Sequence, residues 1–185
     1  MDKILFVNAC THKESRTLVL ASYLLSKLKG EITELKLSNL NLKPLDEEGL
    51  REREELLSKG DFKAFREANL FREATYIVIA SPYYDLSFSA LLKLFIENIN
   101  IDGLTFRFTE KGEYDKLCQA KTVYYITTAG GELLEDYGFN YIKHLCHLFY
   151  GIQDVRLIKA ENLDIDGVDV NQQLKNAKQE IDKIL

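Results

Sequence analysis

The chain has 185 residues, 46% of them hydrophobic, with a formal charge of −5 and a pI near 5.3. That length suits one α/β domain over residues 1–185 with a core large enough to need no staples, and the acidic balance disfavours nucleic acid, which requires a basic footprint. Cys10, Cys118 and Cys146 show neither C-x-x-C nor zinc-ligand spacing and the start does not read as a signal peptide, which points to a reduced cytoplasm. Lys, Glu or Asp interrupts every apolar run short of the about 18 residues of a membrane span, so a soluble protein with a small diffusible substrate is expected.

Lys3 to Ala9 is a continuous apolar run suited to a strand covered on both faces, and Thr17 to Leu28 carries apolar residues at helical spacing, ending near Gly30. Glu31 to Leu37 alternates well enough for a second strand. Pro44 and Gly49 mark a loop, and the charged stretch Asp46 to Arg72 predicts two short amphipathic helices broken near Gly60. Thr75 to Ala80 predicts a central strand bounded by Ser81-Pro82, followed by a helix over Ser87 to Asn98 with Leu91, Leu92, Leu94, Phe95 and Ile96 inward. The excursion Ile101 to Leu117 is long for a plain connection before a fourth strand, Lys121 to Thr128. A helix over Tyr137 to Tyr150, a fifth strand over Asp154 to Ala160 and a closing helix over Gly167 to Leu185 complete the chain. Such alternation predicts a doubly wound, five-stranded parallel sheet of flavodoxin-like order 2-1-3-4-5 with helices on both faces.

In an open parallel sheet, ligands bind beyond the carboxyl ends of the strands where strand order reverses, here between the first and third strands. The loop Cys10 to Thr17 offers a phosphate the hydroxyls of Ser15 and Thr17 and the unpaired N–H groups of a helix start, without the glycines of a Walker or dinucleotide turn. A plain N-cap role for Ser15 is the competing reading. Pro82-Tyr83-Tyr84-Asp85-Leu86 presents two consecutive aromatics that suit a flat ring, although tyrosines after a strand often only pack. Thr127 through Gly131 joins hydroxyls to glycines that admit close backbone approach, with N–H groups suited to the N1–C2=O edge of a reduced flavin. A ligand with a phosphate end and a ring end fits all three loops, and FMN fits that description best.

These stretches, together with Gly103 through Gly112, resemble the flavodoxin-like NAD(P)H-dependent FMN oxidoreductases, the group of the FMN-dependent NADH azoreductases and quinone reductases. The resemblance implies cofactor contacts from Cys10, Ser15, Arg16 and Thr17, from Pro82, Tyr83, Tyr84, Asp85 and Leu86, and from Thr128, Ala129, Gly130 and Gly131. Cys10 stands where azoreductases often have serine. Tyr83, Asp85 and Leu86 replace methionine, asparagine and phenylalanine of the flavin-lining stretch, and an Asp85 carboxylate suits flavin N3–H while disfavouring an anionic reduced ring. Implied too are NADH or NADPH as reductant, a quinone, azo or related small-molecule acceptor, an active-site wall from Thr105 to Gly112, and a homodimer partly covering Leu56, Phe62, Phe65 and Phe71. The flavin carries the chemistry, and no side-chain acid or base is named.

Two other readings stay open on the residues alone: a flavodoxin-like single-electron carrier, and a flavin-free binding module of the same fold. A redox-active Cys10 at a helix N-terminus with a depressed thiol pKa is a further alternative, for which no partner His is evident. The spacing of His144 and His147 allows a shared helix face but offers no third ligand, so ordinary helix surface or interface is preferred to a metal pair, and His12 is a lone candidate for cofactor contact.

Overall fold

The computed structural model describes residues 1–134 and 137–185. Its parallel sheet is built from β1 (Lys3–Asn8), β2 (Glu31–Lys36), β3 (Tyr76–Ala80), β6 (Thr122–Thr128) and β7 (Asp154–Ala160), in the order β2-β1-β3-β6-β7. This is the expected 2-1-3-4-5 order, since the short strands β4 (Phe106–Phe108) and β5 (Tyr114–Lys116) pair only with each other. Alternation along the central strands feeds two cores. Leu5, Val7, Ile77, Ile79, Val123 and Tyr125 pack with α3 (Arg66–Glu73), α4 (Ala90–Ile99) and α5 (Tyr137–Leu145). Ile4, Phe6, Val78, Ala80, Tyr124 and Ile126 pack with α1 (Arg16–Lys27) and α6 (Val170–Ile184) on the other face. Burial on both faces explains why these strands read as apolar runs rather than as clean alternation.

Element boundaries differ from the sequence reading for identifiable reasons. β2 stops at Lys36 because Leu37–Asn39 closes into a 3₁₀ turn. α4 begins at Ala90 rather than Ser87 because Ser87 closes a tight turn with Tyr84, and its buried stripe is Leu92, Phe95, Ile96 and Ile99, with Leu91 and Leu94 only partly covered. α6 starts after Asp169, whose carboxylate accepts from Gln172 N–H at 3.1 Å, because Gly167 is left-handed at φ +82°. The helix expected over Tyr137 to Tyr150 is α-helical to Leu145 and widens into a π turn over Cys146–Tyr150.

The long excursion is the β4–β5 hairpin, whose Phe106 and Tyr114 pack on Phe149 of that π turn at centroid distances of 4.9 and 4.6 Å. Between β2 and β3, α2 (Glu47–Ser58) has no fully buried residue. Arg53 anchors it, donating to the carbonyls of Glu97, Asn98 and Asn100 at the end of α4. A cavity of about 490 Å³ lies between α2 and the preceding loop, lined by Leu42, Lys43, Leu56 and Phe65 among others. Phe71, expected at a subunit interface, belongs to this chain's own core, with its ring 4.9 Å from Tyr150 and 6.5 Å from Phe95. Its position on the inner stripe of α3 explains the burial. Phe62 is exposed, and Leu56 and Phe65 are partly covered.

Candidate functional site at the carboxyl edge of the sheet

The loops after β1, β3, β6 and β7 meet at the carboxyl edge of the sheet, where the order reverses between β1 and β3. After β1, Asn8 is buried and its side-chain oxygen accepts from Cys10 N–H at 3.0 Å, which turns the chain out of the sheet. Cys10 is 3% exposed, and its thiol faces the Ala80 carbonyl. Burial raises the thiol pKa, only partly offset by a hydrogen bond with Ser15. The expectation of Cys10 at a helix N-terminus is therefore corrected: α1 starts at Arg16 with Ser15 as its cap, and the thiol is shifted away from the reactive thiolate.

Ser15 Oγ accepts from Leu18 N–H at 3.4 Å, while the N–H groups of Arg16 and Thr17 have no acceptor among the described residues. These are the free donors of a helix start, aided by the helix dipole. Thr17 is fully buried and its hydroxyl meets that of Thr128 at 2.7 Å, joining the loops after β1 and β6. A contact from Thr17 to an anion would thus come from its backbone. The Arg16 side chain reaches the loop after β7, donating to the Leu163 carbonyl at 3.1 Å and the Asp164 carboxylate at 2.6 Å. His12 Nδ1 accepts from Glu14 N–H at 3.2 Å within its own loop.

After β3, Tyr83 N–H donates to the Thr128 carbonyl at 3.1 Å. Tyr84 and Ser87 then exchange both backbone hydrogen bonds, at 2.9 and 2.8 Å, around Asp85 and Leu86 at φ +49° and +68°. Two successive left-handed residues define a type I′ turn, a conformation that favours Asn-Gly, so Asp85-Leu86 holds it under strain. The turn projects Tyr84, Asp85 and Leu86 into solvent, while Pro82 and Tyr83 are half-buried.

After β6, the carbonyls of Ala129, Gly130 and Gly131 accept from the N–H groups of Leu163, Asp164 and Asn162 at 3.2, 2.9 and 2.9 Å. The N–H groups of Gly130 and Gly131 have no acceptor among the described residues. The two glycines serve different ends. A methyl on Gly130 would overlap the Asp164 carboxylate, so that glycine admits a protein side chain, whereas a methyl on Gly131 would meet open space. Asp164, Leu163 and Glu161, which accepts from Leu133 N–H at 2.8 Å, are site-forming residues that spacing did not reveal. No sequence pattern announces them, because they act through the return path of the loop after β7.

The donor set fits FMN in kind: among the described residues, N–H groups without an acceptor and a hydroxyl at the start of α1, the exposed Tyr84 beside the half-buried Tyr83 after β3, and the Gly130 and Gly131 N–H groups, the latter beside open space. His144 is exposed, and His147 Nε2 lies 3.1 Å from the Gln153 carbonyl. The cavity near Leu42 and Phe65 shares no lining residue with these loops.

A family model described as flavodoxin-like fold matches residues 2–185. An FMN-dependent NADH:quinone oxidoreductase from Coprothermobacter proteolyticus is 32% identical over 100% of this chain and 98% of its own length. FMN-dependent NADH:quinone oxidoreductase 2 from Clostridium acetobutylicum is 34% identical over 95% of this chain and 94% of its own. Among solved structures, an azoreductase from Bacillus anthracis superposes with a TM-score of 0.84 at 21% identity, covering 100% of this chain and 98% of that one. A second from that species, an FMN-dependent NADH-azoreductase in complex with FMN, gives 0.81 at 22% identity, covering 100% and 97%. At those identities the structures speak for the fold, and the fuller sequence matches carry the kinship. The chain belongs to the flavodoxin-like family, alongside relatives named FMN-dependent NADH:quinone oxidoreductase.

Proposed function

We propose that this chain is an FMN-dependent oxidoreductase that takes two electrons from NADH and passes them to a quinone, azo or related small acceptor. The reading rests on two sets of backbone donors without an acceptor among the described residues, one at the start of α1 and one in the glycine loop after β6, in a chain that matches relatives of that name along nearly their whole length. Bound FMN supplies the two-electron chemistry. The chain's own residues bind and orient. Arg16 and Thr17 N–H groups with the Ser15 hydroxyl hold the phosphate, with Cys10 forming the buried floor of that loop. Pro82, Tyr83, Tyr84 and Leu86 would line the ring, and the Asp85 carboxylate would accept from a ring N–H. The backbone over Thr128, Ala129, Gly130 and Gly131 would meet the ring edge, with the Gly130 and Gly131 N–H groups as donors to negative charge there.

The same reading treats residues 1–185 as one domain that acts in the cytoplasm as a homodimer. Three unpaired cysteines support a reducing compartment, and the exposed Tyr84, Leu86, Phe108 and Tyr137 supply apolar surface for a second copy. No helix among the described residues is long and apolar enough to cross a membrane. The test is an anaerobic absorbance titration of purified protein loaded with FMN. Flavin bands should bleach with NADH and return with a quinone, and a protein that binds no FMN would refute the proposal. Sedimentation as a monomer would remove the dimer alone.

A further inference from the structure

Arg16 and Asp164 make a contact that the proposed reaction does not itself require, at a place where it governs the geometry of the site. Asp164 stands directly over Gly130, in space that any side chain at that position would fill. Its N–H holds the Gly130 carbonyl, and its neighbours Leu163 and Asn162 hold those of Ala129 and Gly131. Its carboxylate receives the Arg16 guanidinium at 2.6 Å, and the same Nη1 also reaches the Leu163 carbonyl. The first residue of α1 is thereby tied to the strip that fixes all three carbonyls of the glycine loop, and with them the direction of the Gly130 and Gly131 N–H groups, which have no acceptor among the described residues.

We infer that Arg16 and Asp164 form a positioning pair that holds the Gly130 and Gly131 amides on the ring edge of the flavin, rather than Arg16 serving as a phosphate ligand. The inference rests on the FMN reading above. Asp164 and the Leu163 carbonyl share Nη1 of the guanidinium, which holds the side chain on the side of the β7 loop. The pair is partly exposed, with side-chain exposures of 41% for Arg16 and 68% for Asp164, so its effect is a modest one that salt weakens.

Asp164→Asn separates the two roles. If the pair positions the glycine loop, losing it weakens FMN and riboflavin alike, because riboflavin lacks the phosphate but presents the same ring. If Arg16 instead serves the phosphate, freeing it from Asp164 tightens FMN and leaves riboflavin unchanged. The measurement is flavin-fluorescence titration of the flavin-free protein with each ligand, together with the midpoint potential of bound FMN. The expected result is about a fivefold weakening for both ligands and a lower potential, since misdirected N–H donors stabilise the reduced ring less. Unchanged riboflavin affinity and potential, or tighter FMN binding alone, would overturn the inference while leaving the functional reading intact. Wild-type protein that binds no FMN would overturn both.

Gly130→Ala gives a second route that does not depend on the stability of the Asn variant. The added methyl displaces the Asp164 carboxylate, so the substitution should weaken flavin binding in the wild-type background and have little further effect in Asp164→Ala. Equal losses in the two backgrounds would contradict the pairing.

Discussion

The two sides of the candidate site are built differently. The loops after β1, β6 and β7 are cross-linked to one another through Thr17 and Thr128, through Arg16 with Leu163 and Asp164, and through three carbonyls of the glycine loop. The loop after β3 is tied to that assembly at Tyr83, and beyond it the Asp85-Leu86 turn is closed by bonds between its own ends, with both central residues left-handed. One side is preorganised and the other is strained and exposed. Where strain persists, the surroundings or a ligand must hold it. On the proposed FMN reading, cofactor anchoring belongs to the cross-linked side, and the Tyr84–Ser87 turn is the part left free to shift on binding.

Cys10 gives the largest effect with which to break this contrast, because it lies beneath the cross-linked side. Its thiol pKa is raised above the ordinary 9.0 by burial, so it stays protonated near neutrality and is reached only when the loop opens. Iodoacetamide labelling followed by mass spectrometry should modify Cys10 about a hundredfold more slowly than an unstructured cysteine. The linkage has a definite sign. A pKa raised in the folded state contributes stability that is complete below the unfolded pKa and is lost as pH rises from there through the folded pKa, so this side should loosen, and labelling accelerate, above about pH 9. Rapid labelling at pH 7 would mean that the cross-linked side is open.

Thr17→Val removes the buried member of the hydroxyl pair and leaves the partly buried Thr128 without that partner. A loss of about 1–3 kcal/mol in urea unfolding is expected, with Thr17→Ser retaining most of the stability. Leu86→Gly should act in the opposite direction, raising the stability of the flavin-free protein by about 1 kcal/mol as the strain at φ +68° is relieved. Thermal melts of the two variants should therefore move apart. Tyr84→Ala should change flavin-free stability least, by no more than about 0.5 kcal/mol, because the residue is 46% exposed, yet it should weaken FMN binding in a fluorescence titration.

The sheet was legible in the sequence because runs such as Tyr-Ile-Val-Ile at Tyr76–Ile79 are buried on both faces and bounded by turn residues. β4 and β5 were not, since each is three residues long with one side chain partly covered and two exposed. The loops of the candidate site were legible as a set, through their place at the strand ends. Their internal wiring was not. Asp85-Leu86 breaks the residue preference of the turn it forms, so no turn signal marked it and the start of α4 was read too early. Asp164 meets Gly130 only because the loop after β7 doubles back beside the glycine loop, a return path that local patterning does not encode.

Backbone amide exchange with and without FMN, followed residue by residue by NMR, tests the location of the site most directly. Protection on FMN addition concentrated at Arg16, Thr17, Gly130 and Gly131, with little change around Leu42, Arg53 and Phe65, is the expected result. Protection confined to the α2 cavity, or none at the four amides, would contradict the assignment of the sheet's carboxyl edge as the cofactor site.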